Sequence, residues 1–561
     1  MVFRLLHGNP VMRSDEAWFL WAMHRVTHGD VLYRDVYFVT TPLSAWLGSF
    51  VVALGGTSLT VVRLLSVGLF IASVCFAWSI AARSHVGIVG RVLLVAGLFV
   101  YASPVAHFAS IYSALAILCA LAAMWCALRW LDVRDRASGG RGGSAAGSWW
   151  LVGAGVAAGS SIASKPNTGA LALLALIVTV VAAHRGVRAA VRDVGRVLLP
   201  AGLVSLAMLV PVVVTGAFSS FVSDVLLEKG DYIRVMSSSP VPGLSQAFSL
   251  LDGTAHATRL HPRAVELGSQ IYDTFALAPL VVMAVLAWAV WRSRGRTGGR
   301  VTLGVAFSSA GMLAALPTFG PQHAAEVMPL ALTAMASAAG WAARQPPRRS
   351  PIGARAVMVA ALAVWLAVGV VAIVARSFDG LDGSIGSPST LPAVGSSPVL
   401  ASEVRTTEQD VVRLRRLTHG RVFILRADAA YYYLVGHLTD PTPFDFPVRS
   451  DFGSAGEGGV IADVRSHRIP YVCVGRYERR ASGRGPDFRP LALDRAVRRT
   501  MHFTARLRLC DLYSAHVPAQ ASGQTLSLLP GSTHRALGLP ARTGRANTLV
   551  RGWSRERDRR R

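Results

Sequence analysis

The sequence predicts an α-helical polytopic membrane protein with about ten transmembrane helices and a small extracytoplasmic α/β domain near its C-terminus. The first observation is composition: 52% of the 561 residues are hydrophobic and 16% are charged, whereas about a quarter of the residues in soluble proteins are charged. Second, the apolar residues form long runs, close to the roughly 20 residues that a helix needs to cross a bilayer. Third, arginines cluster in alternate connections between these runs, which is typical of cytoplasmic loops.

The apolar runs define ten candidate membrane spans. Each is bounded by polar residues and, as a helix, would close its backbone hydrogen bonds internally. In chain order the spans are predicted at residues 58–82, 86–103, 107–128, 148–164, 168–184, 197–217, 274–291, 301–317, 324–343 and 356–375.

The connections between the spans alternate sharply in charge. Arg83 and Arg91 flank the first connection, and four arginines fall in the fifth, whereas residues 103–106 and 319–323 carry no basic residue. Cationic loops resist translocation and stay cytoplasmic. All ten spans therefore agree on one orientation, with residues 1–57 and everything after about 376 on the extracytoplasmic side of the cell membrane.

The formal net charge of +26 comes largely from the same arginine clusters. Its basic residues sit in short clusters between apolar runs and in the last thirty residues, not along a groove that could follow a phosphate backbone. Nearly all are arginines, since Lys165 and Lys229 are the lysines of the chain. We therefore expect membrane lipids, and no nucleic acid, among its partners.

The pattern divides the chain into five segments: an extracytoplasmic first loop with interfacial helices (1–57), the transmembrane domain (58–375), a linker (376–400), an extracytoplasmic α/β domain (401–520) and a basic tail expected to be disordered (521–561). Residues 42–54 are apolar but too short to cross, which suits a helix lying at the interface. Because an outward N-terminus has no span before it, we expect that a first helix is missing.

In the α/β domain, residues 420–425 and 471–475 read as short buried strands, and residues 402–417 and 459–466 have helical patterns. Of the five cysteines, three lie inside apolar runs. Cys473 and Cys510 are the two that could plausibly pair, and no cysteine spacing indicates a metal site.

The most informative segment is the outward loop that precedes the first span. It carries an acidic pair, a Gly-x-x-x-Tyr-x-Asp motif, a Pro-Leu that opens the interfacial helix and an arginine at the top of the next span. These residues are Asp15-Glu16, Gly29 to Asp35 with Tyr33 between them, Pro42-Leu43 and Arg63. The pattern resembles the first external loop of the GT-C glycosyltransferases, in particular the protein O-mannosyltransferase and lipid A aminoarabinose transferase branch. The layout is similar over residues 14–375, but the motifs match mainly within the first fifty residues.

The resemblance implies an inverting glycosyltransferase that moves a sugar from a polyprenyl-phosphate donor to an extracytoplasmic glycan, lipid or protein. The family's essential aspartate falls on Asp15, with Glu16 beside it as the second catalytic candidate. A carboxylate at this place can take the proton of the acceptor while positive charge develops on the sugar. The alternative is that the pair caps an exposed helix beginning at Ser14. Mannose and arabinose are the sugars to test first.

Seven further residues are candidates for contact with donor or acceptor. Asp35, with Tyr33 two residues before it, holds the family's second acidic position. We expect Asp35 to contact the substrate or to orient the loop. The alternative is that it serves only as a turn residue. The basic residues near the outer interface are candidates for binding the phosphate of the lipid donor. Each also has an alternative role, as an interface anchor or as a solvated loop histidine. An acid at membrane depth often marks a substrate path. These interface and membrane candidates are Arg63, His107, Lys165, His323 and Glu326.

A rival interpretation from another class is a non-enzymatic transporter or lipid-linked sugar flippase. Such proteins commonly have duplicated halves, and the sequence shows no convincing duplication. It also lacks a Walker loop, His-Glu-x-x-His, Gly-x-Ser-x-Gly and Cys-x-x-Cys, which disfavours nucleotide-driven transport and common hydrolytic mechanisms.

The segment 218–273 is long enough to act as a lid. A divalent cation stays open as a cofactor, because some GT-C branches use one, but no metal-binding residues are predicted.

Overall fold

The computed structural model of the chain describes a long helical part followed by a smaller mixed part. The described residues are 15–101, 110–137, 144–227, 278–292, 299–316, 321–344, 401–449, 451–475 and 489–516. The predicted linker and the basic tail lie outside these residues.

The helical part begins with two helices that precede the first predicted span, α1 (Asp15–Thr27) and α2 (Leu43–Gly55). The second is the short apolar helix expected at the interface. The helices that follow are α3 (Leu59–Arg83), α4 (Ile88–Tyr101), α5 (Ile111–Ala137), α6 (Ser144–Ser164), α7 (Pro166–Ala183), α8 (Val187–Val214), the short α9 (Phe218–Phe221) continued by a π-helical turn (Val222–Leu227), α10 (Ala278–Arg292), α11 (Gly299–Ala314) and α12 (Pro321–Arg344). Nine of the ten predicted spans coincide with helices among the described residues, and the tenth, 356–375, lies outside them.

Several of these helices have the length and surface of membrane spans. Four of the described helices, α3, α5, α7 and α8, are long and apolar enough to cross a bilayer, and the other predicted spans form shorter or less apolar helices. Helix α8 turns large apolar side chains outward, including Val191, Leu199, Leu203, Leu206 and Val210. Water would oppose such a continuous exposed apolar face, whereas lipid favours it. The expected α-helical membrane fold is thereby confirmed.

The arginine-rich connections meet at one end of the helix bundle. Arg83, at the end of α3, lies 3.3 Å from Asp132 near the end of α5. Arg300, at the start of α11, lies 3.0 Å from Asp132 and 2.7 Å from Asp135, and its guanidinium covers the ring of Trp341 near the end of α12. Loops that the charge pattern assigns to one side of the membrane therefore do share one end of the fold.

The C-terminal part contains a four-stranded mixed sheet flanked by helices. Its elements are α13 (Ala401–Thr418), β1 (Phe423–Leu425), α14 (Ala429–Gly436), α15 (Gly456–Arg465), β2 (Tyr471–Gly475), α16 (Leu491–Thr500), β3 (His502–Arg506) and β4 (Cys510–Ser514). The strand order is β1-β2-β4-β3; β1 and β2 are parallel, and the other neighbours are antiparallel. Both predicted strands are present, whereas β3 and β4 were not predicted. Strand β3 is largely exposed and lacks an apolar alternation that would reveal it in sequence.

A disulfide joins Cys473 of β2 to Cys510 of β4, the pair that the sequence left as plausible. Replacing both cysteines by serine is expected to lower the free energy of unfolding by about 4 kcal/mol, because the bond closes a loop of 37 residues in the unfolded chain. Thermal unfolding of the full chain with and without reductant would measure the loss. Cys119→Ser is the matched control, since Cys119 is a free thiol; an equal loss in that variant would contradict the assignment.

The sheet-containing part does not stand apart from the first loop. Residues of α1, α3, α5, α13, α14 and the sheet form one continuous hydrophobic core. The ring of Trp21 on α1 stacks on Tyr433 of α14 at 5.5 Å, Trp18 contacts Phe446, and the amide of Tyr37 donates to the carbonyl of Pro443 at 2.9 Å. The first loop is therefore held between the helix bundle and the C-terminal part.

Candidate active site

Helix α1 begins at Asp15 and is packed into the protein. Asp15 is partly buried, and the residues from Glu16 to Met23 are all buried. The alternative interpretation, in which the acidic pair caps an exposed helix, does not fit this burial, because the residues from Glu16 to Met23 are not exposed to solvent. The acidic pair thus lies where a well-packed helix starts, which restricts the positions that its side chains can take.

Glu16 and Arg63 form a buried ion pair that ties α1 to α3. The Nε and Nη2 atoms of Arg63 donate to the two carboxylate oxygens of Glu16 at 2.5 and 2.9 Å, and both side chains are 0% exposed. A bidentate arginine fork fixes direction as well as distance. Removing one partner would leave a buried charge without compensation, at a cost of about 3–5 kcal/mol. This pair therefore sets the orientation of the first turn of α1, next to Asp15.

Tyr33 and Asp35 shape the loop after α1. Tyr33 has a left-handed backbone, with φ 71°, and its buried hydroxyl donates to the carbonyl of Thr40 at 2.6 Å. Oδ2 of Asp35 accepts from the amide of Val31 at 2.9 Å. Hydrogen bonds from Arg34 lower the pKa of Asp35, which keeps its carboxylate charged. These bonds favour the interpretation in which both residues hold the turn.

The end of this loop contacts the turn between α6 and α7. Thr40 Oγ1 donates to the carbonyl of Ser164 at 2.6 Å, and Thr41 Oγ1 donates to that of Ile162 at 2.8 Å. The turn itself is tight: a Cβ added at Gly169 would lie 2.5 Å from Cα of Ile162, so a larger residue there would force the two helices apart. Lys165 lies in this turn, immediately before Pro166 opens α7.

Lys165 belongs to a polar cluster built from the first turns of three helices. Its Nζ donates to Ser113 Oγ at 2.8 Å and to Oε2 of the buried Glu326 at 3.3 Å. Ser110 Oγ donates to Oε1 of the same carboxylate at 2.6 Å, and His323 Nδ1 lies 3.6 Å from Oε2. The fold thus brings together Lys165, His323 and Glu326, three of the residues selected from sequence, at the end of the bundle opposite the arginine-rich loops.

Some sequence candidates lie outside the described residues. They are His107, residues 228–273 of the predicted lid, and residues 319–320 of the connection before α12. In the described part of the chain, no group of three or more His, Cys, Asp or Glu side chains is arranged to hold a metal ion. Sequence reasoning missed Ser110 and Ser113, because serines at helix starts have no spacing that separates binding hydroxyls from ordinary ones.

It also missed the groups that fasten α1 to the C-terminal part. Asp445, which is 0% exposed, accepts from Nε1 of Trp21 at 2.7 Å and from Nη1 of Arg25 at 3.0 and 3.1 Å. Arg25 also donates to Asp30 at 2.6 Å. These partners are 420 or more positions apart in the chain, and no local pattern indicates the contact. We call this set of contacts between Trp21, Arg25 and Asp445 the α1 clamp.

The described structure is similar in fold to several solved structures of low sequence identity. One is the archaeal oligosaccharyltransferase AglB from Archaeoglobus fulgidus, in complex with an inhibitory peptide and a dolichol-phosphate (10% identity, 84% of this chain, 68% of that chain, TM-score 0.48). Another is the arabinofuranosyltransferase AftD from Mycobacteria (14% identity, 92% of this chain, TM-score 0.48); this chain spans 39% of that chain's length.

A third is ArnT from Cupriavidus metallidurans, bound to undecaprenyl phosphate (14% identity, 93% of this chain, 97% of that chain, TM-score 0.40). No protein-family model matches the sequence, and no curated protein is similar to it in sequence. At 14% identity or less, these three similarities concern the fold alone.

Proposed function

We propose that this chain is an inverting membrane glycosyltransferase that moves a sugar from a polyprenyl-phosphate donor to an extracytoplasmic acceptor, with Asp15 as the base. The observation that carries the proposal is the position of Asp15 at the start of α1, beside the buried bidentate Glu16–Arg63 pair. The ion pair fixes the first turn of α1, the backbone from which Asp15 projects, and a catalytic base must be oriented for its task.

In the proposed reaction the carboxylate of Asp15 accepts the proton of an acceptor hydroxyl. The acceptor oxygen attacks the anomeric carbon on the face opposite the phosphate, and the bond between that carbon and the phosphate oxygen breaks. The polyprenyl phosphate leaves with the electron pair. A single carboxylate suffices, because inversion in one displacement needs no covalent intermediate. Glu16 is bound to Arg63, so we assign it a positioning role and leave the proton transfer to Asp15.

The donor phosphate needs a cation, and the polar cluster around Lys165 supplies one. Nζ of Lys165 is held by Ser113 and by Glu326, which keeps the ammonium group at the end of the bundle where α5, α7 and α12 begin. The negative charge on the leaving phosphate grows as the sugar departs, so a fixed positive charge stabilises the transition state. His323, beside the same carboxylate, is a second donor for the phosphate oxygens.

Lys165→Gln is expected to raise the KM for the lipid donor about tenfold or more and to lower kcat, because a charge-assisted contact to phosphate is lost. Lys165→Arg keeps the charge and is the matched control, with most of the activity retained. Steady-state assays with purified protein would separate the two constants. If Lys165 is only an interface anchor, the Gln variant will keep the wild-type KM.

Two features support an extracytoplasmic site. The polar cluster and the first loop lie at the end of the bundle opposite the arginine network of Arg83 and Arg300, and cationic loops stay cytoplasmic. The disulfide between Cys473 and Cys510 lies in the part that packs on the first loop, and such bonds persist in oxidising compartments. Both features support a site at which a lipid-borne sugar meets acceptors outside the cytoplasm.

The test uses the full chain in liposomes with polyprenyl phosphates that carry labelled mannose or arabinose. We expect label to move to an added saccharide or lipid acceptor, with inversion at the anomeric carbon seen by NMR. A transporter or flippase would instead move the intact labelled lipid across the bilayer without forming a new glycosidic bond. That result would replace the proposal by its rival.

A further inference from the structure

The ion pair between Lys165 and Glu326 has one open and one closed partner. The side chain of Lys165 is 16% exposed, whereas that of Glu326 is 1% exposed. A ligand at this end of the bundle can therefore reach the ammonium group without reaching the carboxylate. The proposed reaction uses the charge of Lys165 but gives the buried carboxylate no step of its own.

The contact between these two charges is longer than the contact of Lys165 with Ser113. Nζ lies 3.3 Å from Oε2 of Glu326 and 2.8 Å from Oγ of Ser113, and charge-assisted hydrogen bonds are usually about 2.7–2.9 Å long. The centre of the Tyr112 ring lies 5.6 Å from Nζ, close enough for a cation–π contact. Ser113 and Tyr112, both on α5, would therefore hold the ammonium group if its contact with Glu326 were lost.

The carboxylate of Glu326 also has partners besides Lys165. Its Oε1 accepts from Oγ of Ser110 at 2.6 Å, and Nδ1 of His323 lies 3.6 Å from Oε2. These partners lower the cost of a buried charge that loses its counterion. The contact with His323 uses Nδ1 and leaves Nε2 for a phosphate oxygen. Both members of the ion pair can thus change partner while keeping others.

We propose that Glu326 competes with the lipid phosphate for Lys165. In the free enzyme the carboxylate binds the ammonium group; the phosphate replaces it on binding, and the carboxylate returns as the polyprenyl phosphate leaves. Carboxylate and phosphate oxygens both accept hydrogen bonds from an ammonium group, so the two anions compete for the same donor. This inference rests on the proposed contact between Lys165 and the lipid phosphate.

The charge of the product gives this competition a use. The donor is a phosphodiester with one negative charge, whereas the product is a monoester with a charge of about −1.5 to −2 at pH 7. Lys165 alone would therefore hold the product more tightly than the donor. A carboxylate 3.3 Å from the same ammonium group opposes the product more strongly than the donor, and so favours release of the product.

The experiment measures binding of farnesyl phosphate to the purified full chain by calorimetry at pH 7, with farnesol as the uncharged probe. Glu326→Gln should bind farnesyl phosphate about tenfold more tightly than the wild type, because the competing charge is removed. Its affinity for farnesol should be unchanged. The matched control is Asp132→Asn, which removes a carboxylate paired with Arg83 and Arg300 at the opposite end of the bundle. This control should bind both probes as the wild type does.

A second measurement follows the ammonium group itself. Lys165 and Lys229 are the lysines of the chain, so lysine labelled with ¹⁵N at Nζ gives one NMR signal in a Lys229→Arg background. Without ligand, the Nζ signals of this protein and of its Glu326→Gln variant should differ. With saturating farnesyl phosphate the difference should shrink, because Lys165 then binds phosphate in both proteins. A difference that persists at saturation overturns the exchange of partners.

Lys165→Gln separates a failure of this inference from a failure of the proposed phosphate contact. If that variant binds farnesyl phosphate as tightly as the wild type, the phosphate contact is wrong, and the competition falls with it. If Lys165→Gln weakens binding about tenfold and Glu326→Gln weakens it too or leaves it unchanged, the contact stands and the competition is overturned. An equal gain for farnesol, or in Asp132→Asn, also overturns it. Sugar transfer is assayed separately, since binding is measured without turnover.

Discussion

Asp15→Asn is expected to lower the rate of sugar transfer by about 10²- to 10⁴-fold, the usual contribution of a general base. The amide has nearly the same shape as the carboxylate but cannot accept the proton of the acceptor hydroxyl. The substitution leaves Glu16 and Arg63 unchanged, so α1 and their buried ion pair should keep their structure. The loss should appear in kcat, with little change in the KM for the lipid donor, because binding of the donor does not depend on the base.

Asp35→Asn is the matched control for this variant. Asp35 is another aspartate of the same loop, and its carboxylate is bound by Arg34 and by the amide of Val31. Its replacement should cost less than tenfold in transfer. The measurement is release of labelled sugar from polyprenyl phosphate at equal protein concentration. Transfer by Asp15→Asn at the wild-type rate, or an equal loss in both variants, would remove Asp15 from the role of base.

Asp445→Asn is expected to destabilise the α1 clamp by about 1–3 kcal/mol, because the amide nitrogen cannot accept the hydrogen bond that Arg25 donates to Oδ2 of Asp445. Asp445 accepts three hydrogen bonds from Trp21 and Arg25, and α1 is the helix that begins at Asp15. Transfer should therefore fall together with stability. Protease resistance of the C-terminal part and hydrogen exchange of α1 would report the loosening directly.

Asp440→Asn is the control for the clamp. Burial raises the pKa of Asp445 to about 6, against the lowering effect of Arg25 and Trp21, and burial also raises the pKa of Asp440 well above its usual value. Oδ1 of Asp440 accepts from the amide and hydroxyl of Thr442, whereas Arg25 donates to Asp445. Asp440→Asn should therefore cost less stability than Asp445→Asn. A loss as large as that of Asp445→Asn would show that Asp440, not Asp445, carries the charge of this pair.

The same pair sets a pH dependence. Both carboxyl groups have raised pKa values in the folded protein, so the folded protein binds more protons than the unfolded chain. The stability that they contribute is complete below the unfolded value of about 3.9 and is lost as the pH rises through about 6. Unfolding followed between pH 4 and 8 should show this decline in the wild type and a smaller one in Asp440→Asn.

The sequence by itself determined the helices, their grouping at two ends and the cysteine pair. Long apolar runs are local signals: each closes its hydrogen bonds within its own segment, whatever the rest of the chain does. The arginine clusters are likewise local, and the ion pairs of Arg83 and Arg300 with Asp132 show that the connections they mark meet. The two helical patterns and the two buried strands of the C-terminal part were also readable, because their periodicities differ.

Tertiary structure alone decided which side chains meet. Glu16 and Arg63 are 47 positions apart, Lys165 and Glu326 are 161 apart, and Arg25 and Asp445 are 420 apart. Charge or polarity marked some of these residues as candidates, but a partner is fixed by helix packing, which no short segment encodes. The strands β3 and β4 also depend on partners elsewhere in the sheet, since β4 pairs with β2 and β3 pairs with β4. The physical reason is that packing between distant segments brings each buried charge to its partners. The arrangement of the site therefore follows from the tertiary structure and not from any local sequence pattern.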